Sequence, residues 1–295
     1  MHVLISGGTG FVGKTVVKAL RAAGHSVVII TRDPTRAEGE AVGWESVEPA
    51  VVAAEAVVHL AGEPIAGGRW TSARKARIRA SRVDTTRKLV DAIGKVDVTP
   101  RPSVLISASA VGFYGPHGDE LLDETSPPGR DFLADVCSAW EAEAERAESF
   151  GVRVVRLRLG IVLAREGGAL ERMVPPFRMF IGGRIGSGKQ WMSWIHVDDV
   201  AALINAALED ESWNGPVNAV APAPVRNAEF AEALGSMLAR PAVVPTPGIA
   251  LRLAFGEMAG MLLRGQRVVP TVATGQGFRW RYPDLTAALR ASVRR

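Results

Sequence analysis

The first half of the chain alternates short, almost wholly apolar runs with stretches of helical periodicity. Residues 3–6, 26–30, 56–60, 104–107 and 152–157 are rich in Val, Ile and Leu, with no apolar/polar alternation. Such runs predict strands buried on both faces, the pattern of a parallel sheet covered by helices. Between the first two runs, an apolar-periodic stretch from about Gly10 to Ala23 predicts a helix that Gly24 stops. Strand and helix in strict alternation predict an α/β fold, a doubly wound parallel sheet of Rossmann type.

The second half is less regular. Residues 165–189 are rich in Gly and Pro and predict loops around one short helix. Residues 195–197 and 216–219 predict short strands, and 198–208 a helix. A helix over 227–238 is expected to open on Asn227 as its cap, with Glu229 in the first turn. The apolar stretch 249–263, interrupted by Arg252 and Glu257, predicts one buried amphipathic helix, and 285–293 another helix. These elements predict a smaller C-terminal lobe packed over the sheet.

At 295 residues, 47% hydrophobic and 22% charged, the chain suits one large globular domain or two intimately joined ones. No apolar run approaches the ~20 residues needed to cross a bilayer, so no membrane partner is expected. The net charge is +4, with the Arg residues spread along the chain. One cluster, Arg74, Lys75, Arg77, Arg79 and Arg82, has the spacing of a solvated helix face. No basic stripe carries interleaved aromatics, which argues against a nucleic-acid partner. The single cysteine, Cys137, allows no intramolecular disulfide. With no leader-like N-terminus, it points to a reducing, cytoplasmic setting.

The segment Gly7-Gly8-Thr9-Gly10-Phe11-Val12-Gly13 falls between the first strand and its helix. Gly7 permits a tight turn, Gly10 lets the main chain approach a pyrophosphate, and Gly13 lets the helix pack close to the strand. The free N–H groups of the helix start then face the phosphates. Strand before, helix after and a second strand about twenty residues on supply the context that a lone glycine pattern lacks. The second strand ends Ile30-Thr31-Arg32-Asp33. Arg32 suits a 2′-phosphate, with Thr31 adding a hydroxyl, so NADP(H) is expected ahead of NAD(H). Asp33 would serve the ribose if the register moved by one residue, and Arg36 is either a second phosphate contact or a surface charge.

Four blocks, GGTGFVG at the start, HLAG at 59–62, SASAVGFYG at 107–115 and WIHVDDVA at 194–201, resemble the short-chain dehydrogenase/reductase superfamily in its extended, epimerase-like form. The segment GSGKQWMSWIHVDD and the tail at 256–289 resemble, more closely, the atypical "epimerase family protein" group, which has a small C-terminal domain of unknown function. The resemblance implies a cofactor set of Gly7, Thr9, Gly10, Phe11, Val12, Gly13, Thr31 and Arg32, with His59, Leu60 and Ala61 on the adenine-ribose side. Gly160 joins that set. Arg82 replaces the Asn that usually opens its block and would reach the pyrophosphate or an anionic substrate. The resemblance also implies a dinucleotide-binding domain of 1–165 and 191–221, with 166–190 and 222–295 as the lobe over the nicotinamide.

The catalytic group departs from the superfamily. Ser109 falls near the catalytic Ser/Thr, one residue out of the usual spacing to Tyr114-Gly115, so Ser107 stays a candidate beside it. The superfamily's Tyr and Lys, one helical turn apart, are absent: Cys137 stands at the Tyr position and Glu141 at the Lys position. A carboxylate does not supply the positive charge of Lys, so the usual acid–base pair is missing. Tyr114 and His196 are the other candidate proton donors, and Cys137 would serve as acid or redox-sensitive group if its pKa were perturbed. Two readings follow. One is an NADP(H)-dependent oxidoreductase or epimerase on a small polar substrate; the other is a non-catalytic dinucleotide-binding redox sensor or partner-binding protein. Monomer and homodimer are both compatible with the sequence.

Overall fold

The computed structural model describes residues 1–97 and 101–293. Residues 98–100 and 294–295, which fall within the two expected lobes, lie outside the described residues. Seven parallel strands form the central sheet: β1 (His2–Ser6), β2 (Ser26–Thr31), β3 (Ala41–Gly43), β4 (Ala56–His59), β5 (Val104–Ala110), β6 (Arg153–Leu159) and β7 (Gly215–Ala219). Their order is β7-β6-β5-β4-β1-β2-β3, so the winding reverses between β1 and β4. The crevice beyond the carboxyl ends of strands at such a reversal is where α/β folds bind ligands.

Helices α1 (Phe11–Ala22), α2 (Ser72–Gly94), α3 (Phe132–Glu145) and α4 (Val197–Glu209) flank the sheet. Successive strand residues serve opposite faces. Val3, Ile5, Val58 and Ile106 pack with Val16, Leu20, Val200 and Leu203 of α1 and α4. Leu4, Ile30, Val57 and Leu105 pack with Leu89, Ile93 and Ala144 of α2 and α3. Both faces are buried under helices, which is why the strands read as unbroken apolar runs.

The C-terminal part builds its own cluster from Leu163, Trp194, Phe230, Leu234 and Leu289. Polar ties hold it to the sheet. The buried Asp199 carboxylate accepts the main-chain N–H groups of Arg281 and Tyr282 at 2.7 and 3.1 Å, and Gln266 Nε2 donates to the Val111 carbonyl at 2.7 Å.

Two local expectations are corrected. Asn227 is the first residue of its helix (Asn227–Leu238), not the cap. Its Oδ1 accepts the Ile185 N–H at 2.7 Å, leaving Arg226 as cap, with Glu229 accepting the Arg226 N–H at 2.7 Å. The stretch 249–263 is not one buried helix. It divides into Gly248–Phe255 and Ala259–Leu263 at Gly256, whose φ of +60° ends the first segment, and Ile249 and Leu253 on that segment are exposed. Arg69 donates to the Leu253 and Ala254 carbonyls at this end, tying the loop after β4 to the lobe.

Candidate functional site

At the sheet's reversal, Ser6 pairs in register with Ile30 of β2 and His59 of β4, and His59 pairs with Ser107 of β5. The residues that follow each strand, beginning with Gly7, Arg32, Leu60 and Val111, therefore share one rim. Gly7 has φ +74°, and a Cβ there would lie 2.7 Å from the Leu60 carbonyl carbon. A Cβ on Gly13 would lie 2.1 Å from the Gly7 oxygen, so α1 comes down on the turn in a way only Gly permits. Gly10 is exposed at the mouth of this cradle and caps α1 with no side-chain bond; no acidic residue stands in the first turn. The helix's leading N–H groups are thus left for an anion. Thr9 and Val12 lie half-exposed beside it, and the Phe11 ring packs against Gly167 and Gly168. These features fit a dinucleotide pyrophosphate.

At the end of β2, Asp33 is consumed as a cap. Its Oδ1 accepts the Thr35 N–H at 3.2 Å and the Thr35 hydroxyl at 2.6 Å, while its own N–H donates to Thr31 Oγ1 at 3.4 Å. Arg32 is exposed and its guanidinium has no hydrogen-bond or ion-pair partner among the described residues. The His59 ring lies in the interior, away from the rim. Nδ1 and the Ser6 hydroxyl are 2.5 Å apart, Thr85 Oγ1 is 3.4 Å from Nε2, and burial pushes its pKa down to about 4. Leu60 and Ala61 bring their main chain against Gly7. Gly160 is a packing glycine, since a Cβ there would lie 2.6 Å from the Ser193 oxygen.

Arg82 on α2 reaches under the loop after β4. Nη2 donates to the Glu63 carbonyl at 3.0 Å and Nη1 to the Ile78 carbonyl at 3.1 Å, with the guanidinium 5.3 Å from the Trp140 ring centroid. Burial lowers its pKa against the favourable fields of Cys137 and Glu63. The rest of the basic cluster is not simply solvated: Arg74 and Arg77 approach Glu63 at 3.8 and 3.5 Å, and Lys75 pairs with Glu257.

The structure brings Ser109, Cys137 and Glu141 together. Ser109 Oγ donates to Glu141 Oε1 at 2.6 Å and also interacts with the Cys137 thiol, whose pKa burial pushes up to about 12. Arg158, paired in register with Ser109, holds Glu141 through two bonds of 2.9 Å. Its third contact, Nη1, donates to the Tyr114 hydroxyl at 2.9 Å, which in turn donates to Asn218 Oδ1 at 2.6 Å. Burial works against the charge of Arg158, but Glu141 and Tyr114 hold its pKa above the usual range. Tyr114 is fully buried and burial raises its pKa to about 12. Its hydroxyl ties β5's end to β6 and β7 and does not face solvent. Ser107 is likewise buried, its hydroxyl directed to the Ala108 carbonyl. His196 caps α4, its Nδ1 accepting the Asp198 N–H at 3.2 Å, and its ring lies 4.0 Å from that of Tyr282.

Arg158, Asn218 and Glu124 were not singled out from the sequence. Glu124 Oε1 accepts the N–H groups of Asn218 and Val272 at 3.0 and 3.2 Å. The signal for Arg158 was present: β6 carries three Arg in an otherwise apolar strand, and a buried cation requires a buried anion.

Outside this network lies a cleft of about 190 Å³ between α3 and the lobe, lined by Trp70, Gly112, Leu133, Met261, Arg264 and Gln266, among others. Its wall residue Gly112 would bring a Cβ within 3.8 Å of the Cys137 sulfur, so the Ser109–Cys137 group stands just behind the cleft.

Residues 3–219 match the model of the NAD dependent epimerase/dehydratase family, and residues 246–292 that of a domain of unknown function, DUF1731. The epimerase family protein SDR39U1 homolog, chloroplastic, of Arabidopsis thaliana is 44% identical, covering 99% of this chain and 86% of that protein. Epimerase family protein SDR39U1 of Mus musculus is 42% identical, covering 99% and 100%. The crystal structure of human epimerase family protein SDR39U1 (isoform2) with NADPH superposes with a TM-score of 0.92 at 36% identity, covering 99% of each chain. By both the family match and these identities, the chain belongs to the NAD dependent epimerase/dehydratase family.

Proposed function

We propose that the chain is an NADP(H)-binding atypical short-chain dehydrogenase/reductase, an oxidoreductase or epimerase acting on a small polar substrate in the cleft beside α3. The observation that carries the cofactor reading is Arg32: an unpartnered guanidinium at the end of β2, beside a glycine cradle, with the neighbouring Asp33 spent on a turn. The human relative crystallised with NADPH supports the same choice. In this reading residues 1–165 and 191–221 hold the dinucleotide, and 166–190 with 222–295 cover the nicotinamide. The nicotinamide, when bound, supplies or accepts hydride. The chain's own residues would orient it: Gly7, Gly10 and the start of α1 at the pyrophosphate, Arg32 and Thr31 at the 2′-phosphate, and Arg82 at the inner anion. Ser109, whose proton is committed to Glu141, offers the substrate only a hydrogen-bond acceptor, with Cys137 next to it. A free, buried thiol suits a reducing, cytoplasmic setting.

Titration with NADPH and NADH, followed by nicotinamide fluorescence, tests the reading. NADPH binds more tightly, and Arg32→Ala weakens it by about ten- to a hundredfold while leaving NADH unchanged. Binding of neither by folded protein refutes it. A second reading, dinucleotide binding without turnover, is favoured by one feature: the hydroxyls of Ser109 and Tyr114 and the Glu141 carboxylate are bonded into one closed set with Arg158. Any substrate-dependent oxidation of bound NADPH excludes it.

A further inference from the structure

The cleft does not end at Arg264. Through Arg264 and Pro116 it continues into a wider hollow of about 580 Å³, whose charged lining is His117, Asp119, Lys189, Arg226 and Arg264. Leaving His117 out of the count, three cations face one carboxylate, an excess of two positive charges. That carboxylate is already spent: Asp119 Oδ1 accepts Trp191 Nε1 at 2.9 Å and Arg226 Nη2 at 2.6 Å, which hold its carboxyl below the usual range. Arg226 gives its other terminal nitrogen to the Lys189 carbonyl. The side chains of Lys189 and Arg264, by contrast, have no partner among the described residues. Trp191 carries two guanidinium groups on its ring, Arg226 at 4.0 Å and Arg267 at 4.5 Å from the centroid, so its indole is occupied by the protein's own cations. Arg267 Nε is buried with no hydrogen-bond partner among the described residues.

We propose that this hollow binds the phosphate end of a phosphorylated, non-nucleotide substrate, with Arg264 and Lys189 as its ligands, while the reacting end occupies the adjoining cleft. The inference rests on the cleft being the substrate site of the proposed function. Two uncompensated cations match a phosphate monoester, which carries nearly two negative charges at neutral pH. A single carboxylate would leave one of them unpaired. The occupied indole gives a nucleobase no platform on which to stack. The arrangement also accounts for the polar-aromatic segment at 189–194: Trp191 positions Arg226 and Asp119, and Lys189 stands at the rim.

Calorimetric titration of the wild type, Arg264→Ala and Lys189→Ala with glycerol 3-phosphate, acetate and UDP, each with and without NADPH, tests this. Glycerol 3-phosphate binds, each variant weakens it by about tenfold, and acetate binds at least about tenfold more weakly. Both variants keep wild-type affinity for NADPH, which shows that they are folded. The proposal is overturned if the variants bind glycerol 3-phosphate as the wild type does, if acetate binds equally well, or if UDP binds more than about tenfold more tightly than glycerol 3-phosphate. Failure to bind NADPH refutes the proposed function instead, and the titrations without NADPH still read the hollow directly.

Discussion

Replacing Glu141 with Gln removes one charge from the interior and leaves its partner, Arg158, in place. The two residues are 4% and 3% exposed and meet through two bonds of 2.9 Å. At that separation and an effective dielectric near 20, their attraction is about 6 kcal/mol, much of it offset by the desolvation of both groups. What remains to Arg158 after the change is the amide oxygen of the new side chain, the Tyr114 hydroxyl, the Glu124 carbonyl and the Phe113 ring 3.5 Å away, none of which carries a charge. An uncompensated buried cation costs roughly 3–5 kcal/mol. Glu141→Gln loses stability on that scale in urea, as a lower midpoint at constant slope, and Arg158→Met, which leaves Glu141 with Arg156 Nη1 3.6 Å away, loses less. The double variant Glu141→Leu/Arg158→Met, which removes both charges and keeps the volume, loses less than either single change, a coupling that a double-mutant cycle reads directly. Single losses below about 1 kcal/mol, or a double variant as unstable as the sum of the two, would refute the assignment of this pair as the electrostatic centre of the site.

Gly13→Ala places a Cβ 2.1 Å from the Gly7 oxygen and 2.8 Å from Gly8 Cα, so α1 must move; a loss of about 3 kcal/mol in thermal or urea unfolding and loss of NADPH binding are expected, and wild-type values for both would show the contact to be soft. His59 has its folded pKa pushed down by burial to about 4, against an ordinary 6.5. The unfolded chain therefore takes up the proton first: its contribution is complete above about pH 6.5 and is lost as pH falls toward 4, by about 3 kcal/mol. The difference between wild type and His59→Asn, measured by urea unfolding across that window, carries this slope, and a flat difference contradicts it. Cys137, with its pKa raised to about 12 by burial, stays unmodified by iodoacetamide at pH 8 until the chain unfolds; rapid labelling of native protein would place the thiol in the open.

What the sequence made legible was what local chemistry dictates. The glycine turn, α1 and the apolar strands depend on steric demands within a few residues, and they stand where the pattern put them. Element ends drifted because they depend on neighbours. β5 runs three residues past the expected 104–107, through Ala110, because β6 continues alongside it in register. Asn227 looked like a helix cap, as its residue type prefers, but the main chain of Ile185, bridged to Thr246, claimed its side chain. The stretch 249–263 has the apolar content of a buried helix; its periodicity did not reveal that Gly256 would take a positive φ or that Arg69, far away in sequence, would bind the carbonyls at that break. β3 and the short helix Val47–Val52 were too brief to carry a periodic signal.

The reading of Cys137 and Glu141 as standing where the superfamily has Tyr and Lys shows the same limit at the level of chemistry. Position by position, Cys137 and Glu141 were visible as departures, and Glu141 read as a lost charge. In the fold that loss is met from another element: Arg158 arrives from β6, where it pairs with Ser109 across the sheet. Yet the exchange is not equivalent. Arg158 spends its hydrogen bonds on Glu141, the Tyr114 hydroxyl and the Glu124 carbonyl, and Arg156 stands 3.6 Å from the same carboxylate. The cation beside Cys137 is Arg82, whose bonds go to the carbonyls of Ile78 and Glu63 and whose charge lies in the field of the Glu63 carboxylate. Under the proposed function the inner end of the site would combine a neutral acceptor, Ser109, with a charge delivered from α2 in place of α3. An anion bound there would be held by a helix on the cofactor side, while burial raises the pKa of the Tyr114 phenol to about 12 and does not lower it.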